Sequence, residues 1–125
     1  MGGEISPELK DFIARHVQSV EHLEVLLLLH LSRERAWTVG AVARELRGNE
    51  LAIARWLDLL VATGLAQRSG EAFSFRSDSA DATRQTENLA ALYRERAVKV
   101  IEFIYARPNS QLRDFSEAFK FRRKT

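Results

Sequence analysis

Apolar positions recur at helical spacing along most of this chain and form short strand-like runs in only one stretch. Leu9, Phe12, Ile13, Val17 and Val20 make a first stripe, entered through Ser6 as a cap and Pro7 at the first helical position. Ser19 opens a second pattern through Leu23, Leu26, Leu27 and Leu31 to about Arg33; the two are separate helices or one kinked helix. The apolar run Val25 to Leu29 lies between Glu24 and His30 and reads as a fully buried core helix. Thr38 caps a third helix with Val39, Val42, Ala43 and Leu46 inward. Gly48-Asn49 breaks that pattern, and Asn49 caps a fourth helix whose Ile53, Leu57 and Leu60 share one face. Thr63-Gly64 ends it, with glycine as the left-handed C-terminal residue. Leu65 to Arg68 and Ala72 to Arg76 flank Ser69-Gly70-Glu71 as a short hairpin.

Ser77 to Asp81 is polar and turn-like. A long helical pattern follows from about Ala82 to Ala106, stopped by Pro108. At 1.5 Å per residue it spans about 40 Å. Leu89, Tyr93, Val100, Phe103 and Ile104 share one side, while Val98, Ile101 and Tyr105 extend to the other. A helix apolar on two sides has two partners, either other helices of its own chain or a second copy. Ser110 caps a last short helix with Leu112, Phe115 and Phe119 inward, ending in Lys120-Phe121-Arg122-Arg123-Lys124.

Helix, turn, longer helix and hairpin over Thr38 to Arg76 resemble the winged helix of bacterial transcription regulators, broadly of the MarR or PadR kind. Such regulators carry a pattern close to T-V-S-R-x-L-x-x-L-x-x-x-G-L on the second helix. Ile53, Leu57, Leu60, Gly64 and Leu65 match its framework, and Arg55 falls on the commonly DNA-facing arginine. Ala52 and Ala54 stand where threonine and serine are usual, and Asp58 and Leu59 follow. The resemblance implies a mainly α fold with a small β-hairpin, a winged helix-turn-helix core with extra N- and C-terminal helices. It places a short strand at Trp37-Thr38, against the hairpin. It divides the chain into 1–20, an N-terminal helix suited to dimerisation; 21–77, the winged helix; and 78–125, the long helix and short basic terminal helix. It further implies double-stranded DNA as partner and a homodimer formed through the terminal helices. Small-molecule effectors are sometimes bound by such regulators, but no residue pattern here marks a pocket for one.

Charge complicates that expectation. The 125 residues carry a formal charge of +2, unevenly placed. Arg107 to Thr125 holds six Lys/Arg against two acids, leaving a net −2 on the rest, and between Glu21 and Ser77 seven arginines meet seven acids. Non-specific DNA affinity comes from neutralised phosphates, so a neutral module must segregate its charge to bind. The candidates are Asn49, Ala52, Arg55, Arg44 and Arg47 on or near the helix pair, with Arg68 for the wing. Lys120, Arg122, Arg123 and Lys124 form a tail suited to phosphate or to an acidic partner. Each arginine taken alone is equally a solvated surface residue. Arg55 is flanked on the helical wheel by Leu51, Ala52, Leu59 and Ala62, so the outward face is unusually apolar. This supports an alternative, a winged helix diverted to protein–protein interaction through Leu51, Trp56 and Leu59. Trp56 is otherwise a part-buried core aromatic at the edge of the apolar stripe, and Trp37 reads as core.

Other classes are poorly served. The chain contains no HExxH, P-loop, GxGxxG or GxSxG, so no enzyme is expected. His22 and His30 are eight residues apart, rotated by about 80° on one helix, which disfavours shared metal ligation. No cofactor is called for. Cysteine is absent, removing disulfides and thiolate metal sites. No apolar run approaches the roughly 20 residues of a membrane span, and no secretory pattern opens the chain, so a cytoplasmic location is expected. MGGEIS formally fits a myristoylation motif, but Ser6-Pro7-Glu8 already serves as a helix start.

Overall fold

One helix, apolar on nearly every side, organises the others. In the computed structural model, which describes residues 4–106, this is α2 (Val20–Leu31), with Leu23, Val25, Leu26 and Leu29 fully buried. A helix apolar all round is stable only when other elements cover it. Here α3 (Val39–Leu46), α4 (Glu50–Ala62), α5 (Ala80–Glu95) and the hairpin strand β3 (Ala72–Phe75) all pack on it. Before it runs α1 (Pro7–His16), which seats Leu9, Phe12 and Ile13 in the core. Ser6 and Ser19 each accept a backbone N–H of their own helix's first turn, so two helices form here, not one kinked rod. Val17 and Val20 therefore leave the first stripe. Val17 is the buried C-cap residue of α1, and Val20 begins α2. The second helix also stops at Leu31, two residues short of the expected Arg33.

Strand β1 (Trp37–Thr38) pairs antiparallel with β3, which pairs with β2 (Ala66–Ser69), giving the order β1-β3-β2. The strands are shifted slightly from the sequence expectation. Ser69 pairs with Ala72, so the wing tip is only Gly70-Glu71, with Gly70 at φ 63°. A two-residue turn favours positive φ at this place, which glycine adopts without strain. Trp37 is buried under Arg35, whose guanidinium lies 3.8 Å from the ring centre.

Two helix ends differ in how they stop. After α4, Gly64 adopts φ 84°, and Leu65 N–H reaches back to Leu60 O at 2.9 Å. After α3 the left-handed position falls on Arg47 (φ 57°), not on the neighbouring Gly48. A side chain there costs roughly 1–2 kcal/mol. Gly48 is needed for a different reason: a β-carbon on it would lie 2.9 Å from Glu21 Oε2 and 3.2 Å from Ile53. This close approach brings Glu21 to α4, where its Oε1 accepts the Trp56 indole N–H at 2.9 Å. The Trp56 ring stacks on the buried His22 ring, 4.8 Å between centres and 16° from parallel. His22 Nδ1 in turn accepts the Gln18 N–H at 3.1 Å.

The single long helix over 82–106 does not form. The chain breaks at Arg96 (φ −138°, ψ 54°) between α5 and α6 (Ala97–Ala106). Arg94, Glu95 and Arg96 are all exposed, so no buried side chain holds helical geometry there. The break lets Val100 and Ile104 enter the core, while Lys10 of α1 lies 5.9 Å from the Phe103 ring centre. The two-sided apolar pattern of the C-terminal stretch is thus partly explained within the chain, but Val98 and Tyr105 stay about two-thirds exposed. The expected last helix and the tail from Lys120 to Lys124 lie outside the described residues.

Two histidines make this packing sensitive to acid. Burial, then the adjacent Arg15, hold the His16 pKa below its ordinary 6.5. Its ring sits 4.6 Å from Phe12, and Nδ1 is buried with no hydrogen-bond partner among the described residues, so a second N–H would be stranded. His30 is lowered by burial and by Arg33, partly offset by Glu87. Its Nε2 accepts from Arg33 at 3.3 Å while its ring meets Phe75 edge-on, coupling α2 to the wing.

A lowered histidine pKa contributes stability that is complete above the unfolded value near 6.5 and is lost as pH falls through the folded value. The urea midpoint is expected to be lower at pH 5.5 than at pH 7.5, and His16→Gln with His30→Gln should shrink the difference. A midpoint that is flat or rises on acidification contradicts this. Gly48→Ala is expected to destabilise by about 1–3 kcal/mol through overpacking, and to shift Trp56 fluorescence as Glu21 is displaced.

Candidate nucleic-acid interface

Helix α4 presents two faces with different chemistry. Ile53, Leu57 and Leu60 are completely buried, fixing its rotation against α2 and β2. Asn49 spends its Oδ1 on the Ala52 N–H, 3.1 Å away, which fixes where the helix starts. Opposite the core lies an outward ridge of Leu51, Arg55, Asp58 and Ala62, all exposed. Leu51 is 83% exposed, more than any other large apolar residue among those described, so it makes almost no contact within the chain. Arg55 forms no ion pair among the described residues, and its guanidinium stands 6.0 Å from the Trp56 ring centre. Ala52, Ala54, Trp56 and Leu59 flank the ridge, half buried.

The other candidates are not all gathered beside Arg55. Arg68 lies on β2 and lines the cleft between α4 and the wing. It folds back on the tip, its Nε donating to Gly70 O at 2.8 Å and its guanidinium 5.3 Å from the Phe73 ring centre. Arg44 is exposed on α3 near Glu50: a β-carbon on Gly40 would lie 3.7 Å from both Arg44 Nη1 and Glu50 Oε2. Arg47 is turned elsewhere. It lines a groove with Glu45, Leu28, Leu31 and Tyr93, on the side of α2 and α5. Its left-handed backbone sets that direction.

The cleft between α4 and the wing gathers carboxylates: Glu50, Asp58 and Glu71 line it with Arg68. None of the three is ion-paired among the described residues. Sequence reading placed Asp58 and Glu71 near the site but missed Glu50, which follows the cap and reads as a favourable first-turn acid. It also missed the Glu21–Trp56 bond, which joins residues 35 apart and leaves no local signal.

A second concavity lies between α2 and α5, lined by Leu27, His30, Leu31, Arg33, Ala90 and Arg94. At its edge the Tyr93 hydroxyl donates to Glu24 Oε2 at 2.9 Å, and burial with that carboxylate pushes the phenol up to about 12. Among the described residues no helix is long and apolar enough to cross a membrane. No cluster of three His, Cys, Asp or Glu there is arranged to hold a metal ion.

Neither a known protein family nor any curated protein matches the sequence. Among solved structures, the chain is similar to a MarR-family protein of Mycobacterium tuberculosis. The identity is 17%, over 93% of this chain and 82% of that one, with a TM-score of 0.54. At that identity the likeness concerns the fold: the chain is mainly helical with a small three-stranded antiparallel sheet, arranged as a winged helix.

Proposed function

We propose that this chain is a DNA-binding transcriptional regulator acting as a homodimer, with α4 as its recognition helix. The observation that carries the reading is Arg55, exposed and without an ion pair among the described residues, on the outward ridge of a helix whose other face is locked in the core. In a helix-turn-helix, this is the element that enters the major groove. Arginine matches guanine O6 and N7 with two donors, the commonest specific base contact. Arg44, exposed on α3, and Arg68, on β2, are the further candidates for phosphate contact, and the fold is similar to that of a MarR-family protein. Dimerisation is supported by Val98 and Tyr105, large and exposed on α6, the last described helix. A two-fold dimer reads half-sites about 34 Å apart. A cytoplasmic protein without a cofactor fits this role.

A second reading is favoured by the carboxylates of the cleft. Glu50, Asp58 and Glu71 face the space where a phosphate strand would run beside the wing, and like charge repels. With Leu51 exposed and Leu59 and Trp56 beside it, the same face suits a protein partner.

Purified protein titrated onto random duplex DNA decides between them. Binding at low salt that falls steeply as salt rises is expected for the regulator; a folded protein that binds no duplex even at low salt overturns it in favour of a protein partner. Arg55→Ala should lower affinity for a selected site by about 1–3 kcal/mol. Removing Lys120 to Lys124 should weaken all sequences alike and flatten the salt slope. Val98→Asp with Tyr105→Asp should convert the dimer to a monomer in sedimentation equilibrium. A dimer that survives both substitutions rules out this face.

A further inference from the structure

Resting on the DNA-binding reading, we propose that Leu51 is a specificity-determining residue that reads the 5-methyl group of thymine, next to a guanine read by Arg55. The argument starts from what the ridge lacks. Its N-terminal half offers one hydrogen-bonding reader, Arg55; its neighbours there are Leu51, Ala52 and Ala54. Asn49, at the cap, has its oxygen committed to the Ala52 N–H and keeps only its amide donors. Asp58 and Glu50 line the cleft on the wing side. The outward ridge of such a helix distinguishes bases chiefly by one guanine contact and by apolar contact.

The major groove presents one apolar group, the thymine methyl, and aliphatic side chains pack against it. Leu51 is free to do so because it is 83% exposed, with no element among the described residues covering it. It precedes Arg55 by one helical turn, which places the two β-carbons about 5–6 Å apart. Successive bases on a strand are about 3.4 Å apart along the axis. Leu51 and Arg55 therefore address bases one or two steps apart, and each half-site should hold a thymine within two base pairs of a guanine. Ala52 and Ala54 favour this arrangement. Their short side chains let the helix approach the base edges closely enough for Leu51 to touch a methyl.

Selection of duplexes from a random pool by the full-length protein supplies the probe. Each thymine of the selected site is then replaced by deoxyuridine, which removes the methyl and leaves pairing and phosphates unchanged. Wild-type protein is expected to lose about fourfold in affinity for one thymine per half-site, the effect of one buried methyl. Leu51→Ala should bind the thymine and deoxyuridine duplexes nearly equally. Replacing the neighbouring guanine with 7-deazaguanine should weaken wild type but not Arg55→Ala. The proposal is overturned if wild type binds every deoxyuridine duplex as well as the thymine one, or if Leu51→Ala keeps the preference. Failure of the pool to yield any bound duplex overturns the DNA-binding reading and this inference with it, whereas selection of a site insensitive to methyl removal overturns the inference alone.

Discussion

The burial of α2 is the constraint on which the remaining architecture depends. A twelve-residue helix with apolar side chains on nearly every side is unstable in water, because burial stabilises by about 25 cal/mol per Å² of apolar surface. It must be enclosed, and the elements that enclose it are those that make up the winged helix. Helices α3, α4 and α5 and the wing strand β3 all pack on it. Leu23, Leu26 and Leu29 are completely buried. A loss there would loosen the helix pair and the wing together.

Against that apolar background, the joint between α2 and α4 is polar and directional. Apolar contact alone would leave α4 free to slide or rotate by small amounts, since burial is not directional. The Glu21–Trp56 hydrogen bond and the stacking of Trp56 on His22 remove that freedom. Gly48 makes the joint possible, because any side chain at the turn would occupy the space of the Glu21 carboxylate. The left-handed Arg47 beside it stores strain to hold the turn. Rotation of α4 is therefore set from its inner face, and the outer ridge of Leu51 and Arg55 is presented at a fixed angle.

Electrostatics divides that outer surface. In the N-terminal half of α4, Arg55 stands without an ion pair among the described residues, beside Leu51, Ala52 and Ala54. On the wing side three carboxylates face one arginine already engaged with the wing tip. Surface charges interact over a Debye length of about 8 Å at physiological salt. Glu50, beside Leu51, and Asp58, one turn from Arg55, lie within that range of the ridge as well as of the cleft.

Local features were legible in the sequence because their causes lie three or four residues apart. Ser6, Ser19, Thr38 and Asn49 cap their helices because each side-chain oxygen meets an N–H three residues on. Gly64 ends α4 for an equally local reason, and the 3.6-residue periodicity identified Ile53, Leu57 and Leu60 as the inner face, hence Arg55 as outward. Distant partners decided the rest. The break at Arg96 leaves no breaker residue in the sequence; it follows from where Val100 and Ile104 find a core. Arg47 points away from Arg55 because the turn needs a left-handed residue and Gly48 is needed for close approach. Glu50, Asp58 and Glu71 share a cleft only because β3 folds the wing beside α4. Charge counting along the chain registers these acids but not their convergence, since proximity across tens of residues is fixed by packing and not by spacing.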